Sequence, residues 1–162
     1  MKLGVISDTH DRLPTFARAL ERFQENQVEA IFHAGDLVAP FAAKLIAKDQ
    51  IDVPVYCIYG NNDGERAGLK KVLPQIQDGP LSVRLGGRRI VMHHALDWLS
   101  QTDIAPADIV ISGHNHEVSS RIIDEKLYLN PGECCGWLTG RCTAAILHVE
   151  NLQTEILDIP AD

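Results

Sequence analysis

The chain has 162 residues, 45% of them hydrophobic and 23% charged, with a formal net charge of −7. That size supports one domain, residues 1–162, with a real core, and the composition is that of a globular protein. The acidic balance gives no sign of a basic groove for nucleic acid, and no apolar run approaches the roughly 20 residues that cross a bilayer. The first residues enter a strand with no basic and apolar leader ahead of them, so a cytoplasmic protein is expected.

Leu3 to Ile6 is a short apolar run that fits a buried strand. It ends in Ser7-Asp8-Thr9-His10. Asp8 and His10 are two positions apart, so at an extended strand end both side chains face one way. Taken alone, the pair reads as a polar loop or as half of a metal site. Leu13-Pro14 opens a helix, with Pro14 at its first position, and Phe16, Ala17, Leu20 and Phe23 form its apolar face. Glu29 to His33 is a strand ending in Ala34-Gly35-Asp36. Ala39 to Lys48 reads as a helix, and Val53 to Tyr59 as a strand ending in Gly60-Asn61-Asn62-Asp63. Strand–helix alternation of this kind argues for parallel pairing, with ligands at the carboxyl ends of the strands.

A short helix from Glu65 to Leu73 stops at Pro74. Leu81 to Leu85 and Arg88 to Met92 then form a hairpin around Gly86-Gly87, and its second strand ends in His93-His94. Leu96 to Ser100 makes a helical turn. Asp108 to Ile111 is a strand ending in Ser112-Gly113-His114-Asn115-His116. Val118 to Ile123 and Lys126 to Leu129 make a second hairpin, followed by a turn at Asn130-Pro131-Gly132. Arg141 to Val149 and Leu152 to Ile159 make a third. The simplest architecture is two sheets sharing a core, with helices outside. The cysteines Cys57, Cys134, Cys135 and Cys142 lack zinc-finger spacing and read as reduced structural thiols.

Five strand ends thus carry Asp8 and His10; Asp36; Asn61; His93; and His114 with His116. Seven donors exceed the needs of one ion. They suit two ions about 3.5–4 Å apart that share a carboxylate.

In this order, Asp8-x-His10, Gly35-Asp36, Gly60-Asn61-x-Asp63, His93 and Gly113-His114-x-His116 resemble the motifs of the calcineurin-like metallophosphoesterases. The likeness covers nearly the whole chain. Asn130-Pro131-Gly132-Glu133-Cys134-Cys135-Gly136 is similar to a segment of the small archaeal and bacterial phosphodiesterases in that superfamily. The resemblance implies an α/β fold, a four-layer αββα sandwich of two mixed β-sheets flanked by helices. It implies that Asp8, His10, Asp36 and His116 hold one ion and Asp36, Asn61, His93 and His114 the other, with Asp36 bridging. A water shared by the ions would lose a proton near neutral pH and attack phosphorus. Asp36, Asn61 and His93 are the expected catalytic set. Oxygen and imidazole donors suit manganese, nickel, iron or zinc, and the resemblance favours manganese or nickel.

The chain departs from the pattern twice. Asn62 stands where many members carry a histidine that protonates the leaving group, so aryl phosphodiesters should be handled best. His94-Ala95 stands where glycine usually follows the metal histidine. His93 fits the register better, and His94 remains an alternative ligand or proton donor. Asp63 is expected to orient Asn61 or a histidine, and Arg12 to contact phosphate or to be a solvated loop charge. His33 reads as a core or supporting histidine, and Trp98 and Trp137 as packing residues. The expected activity is a metal-dependent phosphodiesterase acting on a small phosphodiester. The alternatives are a non-catalytic scaffold like the retromer subunit of this fold, or a nuclease. An exposed hairpin edge leaves a homo-oligomer open.

Overall fold

Strand β1 (Lys2–Ile6) lies at the centre of the first sheet in this computed structural model, which describes residues 1–161. It pairs in parallel with β2 (Ala30–His33), which pairs in parallel with β3 (Val55–Cys57). On its other side it pairs antiparallel with β9 (Thr143–His148), which carries the edge strand β10 (Gln153–Asp158). Residues alternate across such strands. Leu3, Val5, Ala30 and Phe32 therefore point into the space between the sheets, while Ile6 and Ile31 point to the helices.

Three helices cover the outer face: α1 (Leu13–Glu25), α2 (Pro40–Lys44) and α3 (Arg66–Val72). Pro14 sits in the first turn of α1, at its second position rather than its first. Phe16, Ala19 and Phe23 are buried against the sheet, and a Cβ at Gly4 would run into the Phe23 ring. Helix α2 is shorter than the expected 39–48. Beyond Lys44 the amides of Leu45, Ile46 and Ala47 each bond three residues back, at 3.1, 3.2 and 3.3 Å, so the chain tightens into turns that still bury Ile46 and Ala47.

The second sheet runs in the order β4 (Leu81–Leu85), β5 (Arg88–Met92), β6 (Ile109–Ile111), β8 (Lys126–Pro131), β7 (Val118–Ile123). The trio β5, β6 and β8 is parallel, and the outer pairs are antiparallel. Asn130 and Pro131, expected in a turn, belong to β8 and pair with Ser119 and Val118. The outer face of this sheet is covered by a 3-10 turn (Leu96–Trp98) and by α4 (Gln101–Ile104), with Val91, Leu99, Ala107 and Val110 between. The Ser100 hydroxyl accepts from the Asp103 amide, and the Asp103 carboxylate accepts from the Ser100 amide. This capping box, Ser-x-x-Asp in the sequence, starts a helix that the sequence reading did not place. The layers are thus helices, sheet, sheet, helix: the αββα sandwich. Each sheet contributes three parallel strands, and their carboxyl ends carry the candidate donors. Among the described residues no helix is long and apolar enough to cross a membrane.

Candidate metal centre

Two loops are sewn together where the first sheet ends. The amides of Asp8, His10 and Asp11 donate to the carbonyls of Gly35, Asp36 and Leu37, at 3.1, 3.0 and 3.2 Å. The backbone here is left-handed, with φ of 52° at Asp8, 39° at His10 and 60° at Asp36; His114 and His116 follow suit at 74° and 64°. Each such residue costs about 1–2 kcal/mol over an ordinary conformation. Strand alternation is therefore not what brings Asp8 and His10 together. The turn after Ile6 does, and a frame of hydrogen bonds holds it.

Asp63 is the centre of that frame. Its carboxylate accepts from the amides of Asp36 (3.0 Å), Val38 (2.7 Å) and Gly60 (2.7 Å). It positions backbone, not Asn61 or a histidine as expected. Burial pushes its pKa up, against the pull of these amides. His33 supports the same loop. Its Nδ1 accepts from the Gly35 amide at 3.2 Å, so its Nε2–H faces Thr9 Oγ1 at 3.2 Å, and that hydroxyl donates to the Asp36 carbonyl at 3.3 Å. Burial lowers the His33 pKa to about 4, which keeps the ring neutral. Two glycines are required by close approach: a Cβ at Gly60 would collide with the Asp36 carboxylate, and one at Gly113 with Ser7 and Asp8.

Within this frame six of the seven expected donors meet. Asp36 Oδ2 lies 3.5 Å from His10 Nε2. Asp8 Oδ1 lies 3.4 Å from His116 Nε2 and 3.8 Å from His10 Nε2. Asn61 Oδ1 lies 2.9 Å from His114 Nδ1. The exception is His93. Its ring packs edge-on against Trp98 at 5.4 Å between centroids and fills the space over Gly79. His94 takes the place in the cluster: its Nε2 is 3.0 Å from Asn61 Oδ1 and 3.3 Å from Asp36 Oδ2. The expectation that His93 is the donor is corrected on this geometry. The reason is the strand: Ile90 and Met92 face the inter-sheet core and Val91 faces out, so His94 continues the inward row and His93 the outward one.

The ring hydrogens fit a metal centre. His94 Nδ1 donates to the Ala34 carbonyl at 2.8 Å, and His116 Nδ1 donates to Glu133 Oε2 at 2.7 Å. Each leaves Nε2 facing the cluster, the arrangement that orients imidazole ligands. Asp8 Oδ1 and His10 Nε2 are buried without a hydrogen-bond partner, a desolvation cost that a cation bound between them would offset. Although burial opposes it, His94 gains basicity from Asp36, while hydrogen bonds from His94 and Asn62 hold the Asp36 carboxyl well below the usual range. His10 is likewise made more basic by Asp8. The donor set of carboxylate, amide and imidazole is one that divalent cations take in exchange for such protons.

Glu133 is the residue that the sequence reading quoted without giving it a role. It has no exposed surface and accepts from His116, the Thr139 amide and hydroxyl, the Leu138 amide and Cys135 Sγ. Burial works against its charge, but these bonds, Thr139 foremost, hold its pKa down to about 2. Its signal was an acidic residue just past β8, the second strand after the His114-x-His116 motif.

Arg12 is half-buried rather than free in solvent. It donates to the Cys135 carbonyl at 2.6 Å and stacks under Trp137 at 4.6 Å. Asn62 clasps Asp36 through its amide N–H (2.8 Å) and its side chain (2.8 Å). Trp98 is 47% exposed and Trp137 60%, so neither is a core packing residue. All four cysteines are buried. A cleft of about 500 Å³ adjoins the cluster at His114, lined by Leu96, Asn115, Arg121 and Tyr128. A larger one, about 590 Å³, lies away from the donors between α1 and the loop after α2.

Residues 1–152 match the calcineurin-like phosphoesterase superfamily domain. The chain belongs to this superfamily. With it, the chain is a hydrolase of phosphoric esters, in a family that uses divalent metals. It is 38% identical over 160 residues to the phosphodiesterase MJ0936 of Methanocaldococcus jannaschii, covering 93% of this chain and 94% of that one. A solved archaeal phosphodiesterase superposes with a TM-score of 0.85 at 35% identity, over 98% of this chain and all of that one. Vps29 of Entamoeba histolytica, solved with zinc, shares the fold at 16% identity, with a TM-score of 0.69 and full coverage of both chains.

Proposed function

We propose that residues 1–162 form one metal-dependent phosphodiesterase domain whose site takes two divalent cations. Asp8, His10 and His116 hold one, and Asn61, His94 and His114 the other, with Asp36 shared. The observation that carries this is the position of Asp36 Oδ2, 3.5 Å from His10 Nε2 on one side and 3.3 Å from His94 Nε2 on the other. Bound there, the ions supply Lewis acidity and a water acidified to near neutral pH.

Charge argues the same way. Asp8 and Asp36 are both buried, and two carboxylates repel a phosphodiester anion. Two divalent cations reverse that sign, so the residues admit the substrate only when loaded. Asn62 and Asp63 fix Asp36 and its loop, which holds the shared carboxylate in one orientation. Asn62 carries no titratable proton, so a leaving group that needs no protonation is favoured, as in aryl diesters. The cleft beside His114 offers Leu96 and Tyr128 to an apolar ester arm and Arg121 to a phosphoryl oxygen. A diester is favoured over a monoester because the cleft has room beyond the cluster for a second arm. The name of the Methanocaldococcus relative supports that choice. Oxygen and imidazole donors suit manganese, nickel, iron or zinc, and the family resemblance favours manganese or nickel.

The test is hydrolysis of bis(p-nitrophenyl) phosphate against p-nitrophenyl phosphate after chelation and reloading with Mn²⁺ or Ni²⁺. Metal-dependent turnover, faster on the diester, is expected. No metal-stimulated hydrolysis of either would favour the scaffold reading. Strong, salt-sensitive DNA binding would favour the nuclease.

A further inference from the structure

Cys135 lies in the cluster with no part in the assignments above. Its amide donates to the Asp8 carbonyl at 3.0 Å, which brings the side chain under the first half of the site. Cys135 Sγ, a ring nitrogen of His10 and a ring nitrogen of His116 all lie within 4.8 Å of one another. Beside them is Asp8 Oδ1, fully buried, without a hydrogen-bond partner and 3.4 Å from His116 Nε2. We propose that Cys135 is a reserve ligand for soft ions: zinc, cobalt or cadmium seated by Asp8, His10 and His116 takes Sγ as a further donor, whereas manganese leaves it aside. The inference rests on the metal reading above.

Three physical points carry it. Thiolate selects soft and borderline ions, and carboxylate with imidazole serves harder ones, so one site can treat the two classes differently. Zinc–nitrogen and zinc–sulfur bonds of about 2.0–2.3 Å put tetrahedral donors about 3.5 Å apart, so a cluster spanning 4.8 Å closes by about 1 Å, within reach of side-chain rotation. The thiol is also dispensable where it is. It donates to Glu133 Oε2 at 3.1 Å, but that carboxylate keeps His116, Thr139 and Leu138 if Sγ turns away. Coordination exchanges the S–H bond for a sulfur–metal bond, and the proton leaves to solvent. The competing role, a thiol kept only as a donor to Glu133, forms no sulfur–metal bond.

The experiment is titration of the full chain with Co²⁺ in the absence of substrate. Bound cobalt is measured by elemental analysis, and thiolate-to-cobalt charge transfer is read in the near ultraviolet. Wild type is expected to gain the charge-transfer band in proportion to cobalt bound, and to lose it when Mn²⁺ replaces cobalt. Cys135→Ser should bind cobalt without the band, and Cys134→Ser should keep it. Wild type that binds cobalt without the band overturns the proposal, as does a band that survives in Cys135→Ser; the wild-type reading stands whether or not a variant folds. Failure to bind cobalt at all overturns the metal centre itself along with it.

Discussion

The two halves of the donor cluster are built alike but left in different states. Around Asn61 the polar atoms satisfy one another: Asn61 Oδ1 meets His94 Nε2 at 3.0 Å and His114 Nδ1 at 2.9 Å. Around Asp8, Oδ1 and His10 Nε2 are buried and unpartnered. The contrast shows where a cation gains most. Around Asn61 it must displace hydrogen bonds already made; around Asp8 it relieves a desolvation cost already present. The Asp8 half should therefore fill first, and Asp36, which touches both, should decide whether the second ion follows.

Asp36→Asn is the severest way to break that relation. It should cost at least about 10²–10³-fold in kcat and reduce bound metal from two ions toward one per chain, measured by diester turnover and elemental analysis. Wild-type turnover would mean the site is misassigned. Next comes the adjacent histidine pair. His94→Ala should lower activity by about 10²-fold or more and release the ion of the Asn61 half. His93→Ala should leave metal content unchanged, because its ring faces Trp98 rather than the cluster. Equal losses of metal in the two variants would reverse the correction made above.

Glu133→Gln sharpens the comparison from outside the donor set. It weakens the bond that orients His116, so metal affinity at the Asp8 half should fall about 10–100-fold, with the Asn61 half little changed in calorimetric titration. A separate effect, outside the donor set, is on stability. Fully buried His33 has a folded pKa of about 4 against an ordinary 6.5. Its unfolded form binds more protons between those values, so its share of stability is complete above pH 6.5 and lost as pH falls toward 4. The loss is about 3 kcal/mol. Urea unfolding of chelated protein at pH 7 and pH 4.5 should show a larger drop for wild type than for His33→Asn; parallel drops would remove His33 as the source.

The sequence reading reached the hairpin at Gly86-Gly87, the parallel pairing of β1, β2 and β3 and the strand-end position of the donors, because turn residues and apolar runs mark those features locally. The order of the four layers came only through the resemblance. The misplacement of His93 has a physical origin. Both faces of β5 are covered, one by the facing sheet and the other by α4 and its neighbours, so Ile90, Val91 and Met92 are all apolar and the inward row cannot be told from the outward one. The role of Asp63 was hidden for a different reason. It serves three backbone amides that belong to other residues, and no side-chain pattern advertises that. The place of Cys135 beside Asp8 depends on the loop after β8, where the Cys135 amide donates to the Asp8 carbonyl, a contact between residues far apart along the chain.

The central claim is that one carboxylate joins two cation sites. The direct measurement is an anomalous-difference map from a crystal grown with Mn²⁺. The account predicts two peaks on opposite sides of Asp36, one contacted by His10 and His116 and the other by His94 and His114. A single peak, or a second one bound by His93 in place of His94, would contradict it.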